Sequence, residues 1–330
     1  VKEDSIETTE GQLIVDDIDL TDTHTWDVQP VSGTYGSITV DTNGKWVYTI
    51  NNALDATQHL AEGEPGEDKF IVTVDDGQGG KTQKEIVISL EGTNDLPTVV
   101  SSNDTGTVIE DGVQTISDTL IVNDVDDPDT HNWFVIGSDE SKLGNFSIDA
   151  ATGKWTYVLK NDEAQLLAKD ETVVESFVVV VGDGNNGYAQ HTVEVTIIGT
   201  NDSPEITGRT TGTAVEDIIP TATGALTAVD VDFTDTHTWL VEGGGVGKYG
   251  TMTVDADGNW IYALDPSNPD TQALAENQQE FETFTIAVDD GNGGTNAIMI
   301  TVEVLSTNDA PVIGGKTTKT ITEDGNKESV

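Results

Sequence analysis

The sequence has 330 residues, no cysteine and a single arginine, Arg209. The absence of cysteine excludes disulfide bonds, which small secreted domains often use as staples. A secreted chain without them must stabilise its domains in another way, and bound metal is one of the few options. Because bidentate phosphate binding relies on arginine, a single arginine makes a phosphate-binding site of this kind a poor explanation of the sequence.

Basic residues are scarce in general. Fourteen Lys and Arg stand against 60 Asp and Glu, which gives a formal net charge of −46. Nucleic acids and anionic membranes are polyanions, so this charge excludes both as partners. Such acidity also resembles disorder, but regularly spaced Trp, Tyr, Phe and β-branched residues supply core material in every part of the chain. We therefore expect a folded polyanion whose missing counter-charge is supplied by multivalent cations.

Long apolar runs are missing too. No stretch approaches the roughly 20 residues of a membrane span, and no secretory signal is visible at the N-terminus. The first residue aligns with the middle of the repeat described below, at a point equivalent to residues 108 and 214. We expect the sequence to be an excerpt of a longer protein, in which case the missing signal says little about the parent.

A long internal repeat organises the chain. The motif Asn-Asp-x-Pro occurs at 94–97, 201–204 and 308–311, so each copy begins 107 residues after the last. A fixed period of this length indicates tandem domains. We predict three domains and the start of a fourth repeat, at 1–98, 99–205, 206–312 and 313–330.

Each repeat has the pattern of short β-strands. In the second repeat, residues 131–137, 144–150 and 154–160 alternate apolar and polar side chains, as half-buried strands do. The polar segment 161–171 is compatible with a helical turn. Seven such segments without a long helical period predict an all-β chain, a tandem array of three seven-stranded antiparallel β-sandwiches. We assign the recurring tryptophans to the cores rather than to an exposed sugar-binding platform: Trp26, Trp133 and Trp239 in the third strand, and Trp46, Trp155 and Trp260 in the fifth.

Acidic residues hold their positions from repeat to repeat. They form a Glu-Asp pair near the start of the repeat, an Asp-x-Asp after the second strand, an Asp at the end of the sixth strand, and the Asn-Asp of the linker. In that order the groups are Glu3-Asp4, Glu110-Asp111, Glu216-Asp217 and Glu323-Asp324; Asp17/Asp19, Asp124/Asp126 and Asp230/Asp232; Asp76, Asp183 and Asp290; and Asn94-Asp95, Asn201-Asp202 and Asn308-Asp309.

Sandwich topology places these groups at the two ends of each domain. With the N-terminus at the top, the loops after strands two and six lie at the top. The first-strand turn, the loop after strand five and the exit linker lie at the bottom. Each junction therefore combines the bottom of one domain with the top of the next. We predict Glu3, Asp4, Glu64, Asn94, Asp95, Asp124, Asp126 and Asp183 at the first junction, and Glu110, Asp111, Glu171, Asn201, Asp202, Asp230, Asp232 and Asp290 at the second.

The chemistry of these residues favours calcium. Some seven carboxylates in one gap would repel one another strongly without cations. Carboxylate and amide oxygens suit a hard cation, and ligands drawn from separate loops suit the flexible coordination of Ca²⁺ better than the octahedral demand of Mg²⁺. The alternative, solubilising surface charge, would drift between repeats. We therefore expect Ca²⁺ as the cofactor, bound at about 10⁻⁴–10⁻³ M as in extracellular modules.

The combined motifs resemble a known module. The Asn-Asp-x-Pro linker, the Glu-Asp pair, Asp-x-Asp with Thr-His-x-Trp, Gly-x-Trp-x-Tyr and Val-Asp-Asp-Gly-x-Gly-Gly together resemble the VCBS repeat, a cadherin-like module of long bacterial RTX-type surface adhesins. The resemblance covers nearly the whole chain. It implies a cadherin/Ig-like sandwich, Ca²⁺ between successive domains, type I secretion to the cell surface and a role in attachment or biofilm formation. Two residues depart from the pattern and bear on ligand number: Lys169 replaces the glutamate of Glu62 and Glu276, and Gly182 removes an aspartate.

We therefore expect a calcium-rigidified extender, a monomer whose partners are the neighbouring repeats of its own chain. The alternative is a ligand-binding module that recognises a glycan or host-surface protein through one repeat, with 243–249 and 266–270 as its candidate loops. No Ser/His/Asp set stands apart from the repeats, so we predict no catalytic residues and no enzyme activity. His24, His131 and His237 recur without His or Cys partners, which favours a structural hydrogen bond over zinc.

The two ends of the sequence are expected to differ from the middle. Domain one lacks its own first strand and should be the least stable of the three. Residues 313–330 belong to a repeat whose core is absent, so we expect them to fray or to pair weakly as an isolated strand. A half-site should remain at Asp309.

Overall fold

The structure is a computed structural model that describes residues 1–126 and 130–318. The chain divides into two compact units, residues 1–200 and 201–330. The first unit contains two β-sandwiches, called domain one and domain two, and the second contains domain three. Among the described residues, no helix has both the length and the apolar character needed to cross a membrane.

Domain one is built from six strands. They are β1 (Thr8–Gln12), β2 (Thr25–Gln29), β3 (Gly36–Val40), β4 (Lys45–Ile50), β5 (Pro65–Asp75) and β6 (Lys81–Glu91), with a helical turn α1 (Asp55–Gln58) before β5. One sheet has the order β1-β4-β3 and the other β2-β5-β6. Alternation along β5 buries Phe70 and Val72 and exposes Ile71, which directs one face of the strand into the core.

Domain two adds the strand that domain one lacks. Its elements are β7 (Thr98–Val99), β8 (Thr105–Ile109), β9 (Thr115–Thr119), β10 (Val122–Asn123), β11 (Asn132–Ile136), β12 (Gly144–Ile148), β13 (Lys154–Leu159), α2 (Asn161–Ala164), β14 (Thr172–Gly182) and β15 (Tyr188–Ile198). The sheets have the orders β10-β7, β12-β13-β9 and β11-β14-β15-β8. Since β7 and β8 are the two halves of the first strand, and β9 and β10 the halves of the second, the predicted count of seven is confirmed. The helical turn expected in 161–171 is α2.

Domain three repeats this plan in the second unit. Its elements are β16 (Glu205–Gly208), β17 (Thr211–Val215), β18 (Thr221–Val229), β19 (Thr238–Val241), the 3₁₀ turn η1 (Glu242–Gly245), β20 (Gly250–Val254), β21 (Asn259–Leu264), β22 (Gln279–Asp289) and β23 (Thr295–Leu305). The sheets have the orders β16-β18-β21-β20 and β17-β23-β22-β19.

The first strand of domains two and three is shared between sheets. Its first half pairs antiparallel with the second strand, as β7 with β10 and β16 with β18. Its second half crosses to the other sheet and pairs in parallel with the last strand, as β8 with β15 and β17 with β23. The prediction of purely antiparallel sheets is therefore wrong at this pair. The crossing lets one strand close both sheets of the sandwich.

The tryptophans pack in or against the cores, as predicted. Trp155 and Trp260 are completely buried, and Trp133 is nearly so. The other three, Trp26, Trp46 and Trp239, are half-buried, and each packs against the core of its own domain.

Each core also contains a tyrosine hydrogen-bonded to an acid. The hydroxyl of Tyr48 donates to Oδ2 of Asp68 over 2.8 Å, and Asp68 also accepts the backbone amides of Thr34 and Tyr35. The same pairs recur in the other domains, between Tyr157 and Glu175 and between Tyr262 and Glu282. Each carboxylate therefore ties the loop before β3, or before its counterparts β12 and β20, to the core.

The chain continues beyond β23 as an exposed segment. Residues 311–318 join no sheet of domain three, and Val312 and Ile313 are almost fully exposed. The expectation that 313–330 fray reaches beyond this segment, and the predicted pair Glu323-Asp324 lies outside the described residues.

Candidate metal centres at the domain ends

The first linker is hydrogen-bonded to the upper end of domain two. The side-chain amide of Asn94 donates to Oδ2 of Asp183 over 3.0 Å, and the backbone amide of Asp95 donates to Oδ2 of Asp126 over 2.7 Å. Asp183 lies in the turn after β14, where its Oδ1 accepts the backbone amides of Asn185 and Gly187. The sequence motif thus places the linker on two buried carboxylates of the following domain.

The lower end of domain one reaches the same linker from the other side. Glu3 is completely buried, and its carboxylate accepts the side-chain amide of Gln58 and the backbone amide of Thr93. Burial raises the pKa of Glu3, and the negative charges of Asp95 and Asp4 add to this, while the amide of Thr93 opposes it. Because burial and neighbouring negative charges destabilise the ionised carboxylate of Glu3, a bound cation that offsets the charge would stabilise it.

Asp95 is the central acid of this junction. Burial raises its pKa, and the carboxylates of Asp4 and Asp124 raise it further. The nearby lysine of domain one does not offset these charges, because Lys2 pairs with Glu62 and Glu91 at 3.4 and 3.0 Å. The predicted residues Glu3, Asp4, Asp95, Asp124, Asp126 and Asp183 therefore come together as one electronegative cluster.

In the loop before β5, Glu62 rather than Glu64 contacts the linker. Glu64 is exposed, and its carboxylate accepts the backbone amide of Ala61, which closes its own turn. Glu62 accepts the backbone amide of Asn94 over 3.1 Å and so contacts the linker directly. Sequence reasoning did not choose Glu62, because Lys169 breaks the acidic pattern at the equivalent position.

The lower end of domain two repeats the arrangement of Glu3. Glu110 is completely buried and accepts the amides of Gln165 and Thr200 over 2.9 Å each. Asp111 accepts the side-chain amide of Asn161 over 2.6 Å. Glu171 closes its own turn by accepting the backbone amide of Ala168 over 3.2 Å, as Glu64 does in domain one.

The upper end of domain three, within the second unit, repeats the linker geometry. The side-chain amide of Asn201 donates to Oδ2 of Asp290 over 2.9 Å, and the backbone amide of Asp202 donates to Oδ2 of Asp232 over 2.9 Å. The predicted residues of this end thus lie in the same relation as those of domain two.

A further aspartate completes the upper end of domain three. Carboxylate oxygens of Asp230, Asp232 and Asp235 all lie within 4.8 Å of one another. Burial raises the pKa of Asp232, and the charges of Asp235, Asp230 and Asp290 raise it further, against the amide of Asp202. Asp235 was not among the predicted ligands. The sequence does contain a pattern that marks this residue, because Asp235 directly precedes Thr-His-x-Trp, as Asp22 does in the first repeat.

The upper end of domain one carries a related triad. Carboxylate oxygens of Asp17, Asp22 and Asp76 lie within 4.8 Å of one another, so Asp76 stands where domain three uses the counterpart of Asp19. In the second repeat the equivalent of Asp22 falls in 127–129, outside the described residues. Domains one and three therefore each present three converging aspartates at their upper ends.

Each recurring histidine lies near the first aspartate of the Asp-x-Asp in its repeat. Nε2 of His24 lies 2.9 Å from Oδ2 of Asp17, and Nε2 of His131 lies 3.0 Å from Oδ2 of Asp124. In domain three the corresponding distance to Asp230 is 3.7 Å. The predicted structural hydrogen bond is confirmed for the first two histidines.

The donor atoms of these ends fit a hard cation. Among the described residues, several buried oxygens have no hydrogen-bond partner: Thr93 Oγ1, Asn94 Oδ1, Asp95 Oδ2, Asn201 Oδ1 and Asp232 Oδ1. An oriented, unpaired oxygen in a buried acidic cluster costs free energy unless a cation uses it. Oxygen ligands of this kind, without sulfur, are those that Ca²⁺ takes.

The fold and these ends define a tandem series of β-sandwiches whose ends carry clustered carboxylates. The chain belongs to the bacterial cadherin-like domain family, whose model matches residues 1–92, 94–199 and 201–306. No curated protein sequence matches the chain.

Solved cadherin structures share the fold at low sequence identity. Mouse cadherin-23 EC22–24 is similar over 93% of this chain and 95% of its own, with 17% identity and a TM-score of 0.51. PcdhgB3 EC1–4 is similar over 93% of this chain and 73% of its own, with 16% identity and a TM-score of 0.54. The extracellular cadherin domains 1–5 of protocadherin gamma B2 are similar over 94% of this chain and 58% of their own, with 17% identity and a TM-score of 0.54.

Proposed function

We propose that this chain is a calcium-rigidified extender, a stalk segment of a large secreted or cell-surface bacterial adhesin. One observation carries the proposal. The linker at Asn94 and Asp95 is hydrogen-bonded to Glu62 of domain one and to Asp126 and Asp183 of domain two. Acids from both domains therefore converge on one short segment, where a cation that binds them together would fix one domain against the other.

The residues that would hold calcium at the first junction are the predicted ones that lie at the linker. Glu3, Asp126 and Asp183 are buried there, Asn94, Asp95 and Asp124 are half-buried, and Asp4 is exposed. We add Glu62, which is exposed but contacts the linker, and keep Glu64 as a second exposed candidate. Bound Ca²⁺ would supply positive charge that offsets their repulsion. The protein's own part is to pre-orient the oxygens through amide hydrogen bonds.

We extend the proposal to the second junction from the repeat itself. Glu110, Asp111 and Glu171 take the positions of Glu3, Asp4 and Glu64, and Asn201, Asp202, Asp230, Asp232 and Asp290 take those of the first linker and the upper end of domain two. Asp235 joins them because its carboxylate meets those of Asp230 and Asp232. The predicted domain limits of 98, 205 and 312 place one such linker at the end of each repeat.

The cellular setting is part of the same proposal. The similar cadherin structures include extracellular domains, and the motifs resemble VCBS repeats of RTX adhesins. An extracellular site, reached by type I secretion, agrees with a chain that has no cysteine and a net charge of −46. Neighbouring repeats would be its structural partners, and an adhesive tip elsewhere would carry the biofilm or host ligand.

Small-angle scattering with and without Ca²⁺ tests the extender. We expect a larger maximum dimension in Ca²⁺, and equal dimensions would defeat the proposal. In the double variant Asp126→Asn/Asp183→Asn, the first junction should no longer bind Ca²⁺, so Ca²⁺ should increase the maximum dimension less than it does in the wild type. Its matched control is Asp162→Asn/Glu163→Gln, which removes the same charge from α2 in the same domain and should behave as the wild type.

A second candidate function has one supporting observation. The loops 243–249 and 266–270 lie side by side in domain three, where the side-chain amide of Asn268 donates to the carbonyl of Lys248 over 2.8 Å. Val246 is exposed there, and the ammonium of Lys248 lies 4.5 Å from the ring centroid of Tyr249. A small composite surface of this kind could bind a glycan. Binding of the full chain to a glycan array, abolished by Val246→Asp, would support it; a clean negative favours the extender.

A further inference from the structure

The only arginine of the chain lies where the first strand of domain three crosses between the sheets, between β16 and β17. Its backbone is fixed there, because the amide of Arg209 donates to the carbonyl of Ala225 over 2.9 Å and its carbonyl accepts Nε1 of Trp260 over 2.8 Å. The side chain is oriented as well, since Nε of Arg209 donates to the carbonyl of Thr211 over 2.8 Å. The two terminal nitrogens of the guanidinium are left for a further partner.

No acid of the chain serves as that partner. Among residues 1–126 and 130–318, the ion pairs involve lysines and histidines, and none involves Arg209. Glu303 lies nearby, but its carboxylate accepts the hydroxyl of Thr213 over 3.0 Å and the side-chain amide of Gln279. In a chain with 60 Asp and Glu, an unpaired guanidinium is available to an anion from outside the chain.

The guanidinium opens onto a shallow cavity on the outer face of domain three. The strand register builds this cavity, because Thr211 and Thr213 of β17 lie beside Thr301 and Glu303 of β23, and Glu303 lies beside Phe281 of β22. The ring of Phe281 is 59% exposed. The cavity has a volume of about 290 Å³ and is lined by Arg209, Thr211, Thr213, Phe281, Thr301 and Glu303.

The same place in domain two has different chemistry. Nε1 of Trp155 donates to the carbonyl of Asn103, as Trp260 does to Arg209, so Asn103 is the counterpart of the arginine. The third residue of β14 is Val174, where the third residue of β22 is Phe281. The sandwich therefore forms without a cation or an aromatic ring at these positions, and their presence in domain three favours recognition over folding.

We propose that this cavity binds a sugar that carries a carboxylate, such as a uronic acid. The planar guanidinium of Arg209 offers parallel N–H donors that match a carboxylate. The exposed ring of Phe281 packs against the C–H face of the sugar, and the hydroxyls of Thr211 and Thr301 with the carboxylate of Glu303 bind its hydroxyl groups. A fatty acid would leave these polar groups without partners, which disfavours it.

The site is local and separate from the candidate metal centres. The net charge of −46 repels an anion at long range, but salt screens charges beyond about 8 Å at physiological ionic strength. Binding therefore depends on the contacts within the cavity, and we expect a millimolar affinity. The site uses none of the proposed calcium ligands and no residue of the loops 243–249 and 266–270, so it stands or falls separately from both proposed functions.

Saturation-transfer NMR of the full chain tests the site with glucuronic acid and glucose, which differ by the carboxylate alone. The measurements are made in chelator, so that no metal ion bridges the sugar to the acidic ends. Glucuronic acid should bind about tenfold or more tightly than glucose, because the bond to Arg209 is charge-assisted. Acetate, which has the carboxylate without the sugar, should also bind more weakly than glucuronic acid.

Two variants with matched controls assign the binding to this cavity. Arg209→Gln should weaken binding of glucuronic acid about tenfold or more, and Lys154→Gln, which removes one exposed positive charge in domain two, should not. Phe281→Ala should weaken binding as well, whereas Phe134→Ala, at an exposed ring of domain two, should have no effect. Circular dichroism checks that each variant is folded.

Three results would overturn the proposal. They are the absence of glucuronic acid binding at millimolar concentration, binding of glucose or acetate as tight as that of glucuronic acid, and normal binding by a folded Arg209→Gln variant.

Discussion

The side-chain amide of Asn94 donates to the carboxylate of Asp183, 89 residues later in the chain, over 3.0 Å. Asn201 and Asp290 repeat this bond in the second unit at the same separation and 2.9 Å. In both cases the side-chain amide nitrogen donates to an aspartate of the following domain. The amide oxygen Oδ1 is buried and has no hydrogen-bond partner among the described residues. The bond therefore orients an oxygen ligand as well as joining the linker to its domain.

A glycine enforces this orientation and gives the first prediction. A Cβ at Gly187 would lie 1.8 Å from Oδ2 of Asp183 and 2.8 Å from Nδ2 of Asn94. Gly187→Ala should displace both side chains and lower the affinity of the first junction for Ca²⁺ about tenfold or more, as expected when a group that orients a ligand is disturbed. Titration calorimetry measures this. Gly112→Ala, whose Cβ would meet its nearest atoms at 3.4 Å, is the control in the same domain.

Removing the charge of Asp95 should have opposite effects with and without calcium. Burial and the charges of Asp4 and Asp124 disfavour its ionised form. In chelator, Asp95→Asn should therefore raise the free energy of unfolding, by on the order of 1 kcal/mol. In Ca²⁺ the same variant should be less stable than the wild type, because a ligand is lost. Thermal unfolding in the two buffers measures the change in stability with and without Ca²⁺. A variant that is less stable than the wild type in chelator would contradict the idea that repulsion between Asp95 and its neighbours destabilises the calcium-free protein.

The core tyrosines predict the response to alkali. Burial, followed by the hydrogen bond to Asp68, raises the pKa of Tyr48, and the same causes act on Tyr157 with Glu175 and on Tyr262 with Glu282. The folded state then holds these protons above about pH 10, where unfolded tyrosine loses them. Stability should be unaffected by these groups below about pH 10 and should fall as the pH rises beyond it.

The variant that tests this response is Tyr48→Phe. It should make the alkaline loss of stability shallower in domain one, at a cost of about 1–3 kcal/mol at neutral pH because the acceptor Asp68 loses its hydroxyl donor. Chemical unfolding as a function of pH measures both effects. Tyr188→Phe alters an exposed tyrosine and should leave the alkaline slope unchanged.

Domain one should open before the other domains. Leu13 and Val74 are half-buried, whereas their counterparts Leu120 and Val181 of domain two are buried. We therefore expect the amides of domain one to exchange hydrogen faster than those of domain two. Hydrogen exchange resolved by domain measures this, and equal exchange in the two domains would contradict the expectation.

Much of this architecture could be predicted from the sequence, because repetition serves as its own alignment. The period located the linkers, period-two alternation located strands such as β5 and β14, and the in-register acids located Glu3, Asp126 and Asp183. These features are local in the sequence or recur unchanged, so a pattern is enough to find them.

Other features depend on contacts that no pattern contains. The parallel pairing of β8 with β15 arises because one strand crosses between sheets, which alternation cannot indicate. The acidic pattern did not indicate Glu62, because Lys169 replaces its counterpart and the contact with the backbone amide of Asn94 cannot be seen in the sequence. The role of Asp235 depends on how its loop folds back towards Asp230 and Asp232. Whether Glu64, Glu171 and the other predicted ligands bind metal stays a prediction.

The parallel pair between the first and last strands has a mechanical consequence. In domain two, residues 105–109 of β8 lie beside residues 194–198 of β15, and in domain three residues 211–215 lie beside 301–305. When such a domain is pulled by its two ends, these strands must slide past each other, so several hydrogen bonds carry the load together rather than breaking one by one.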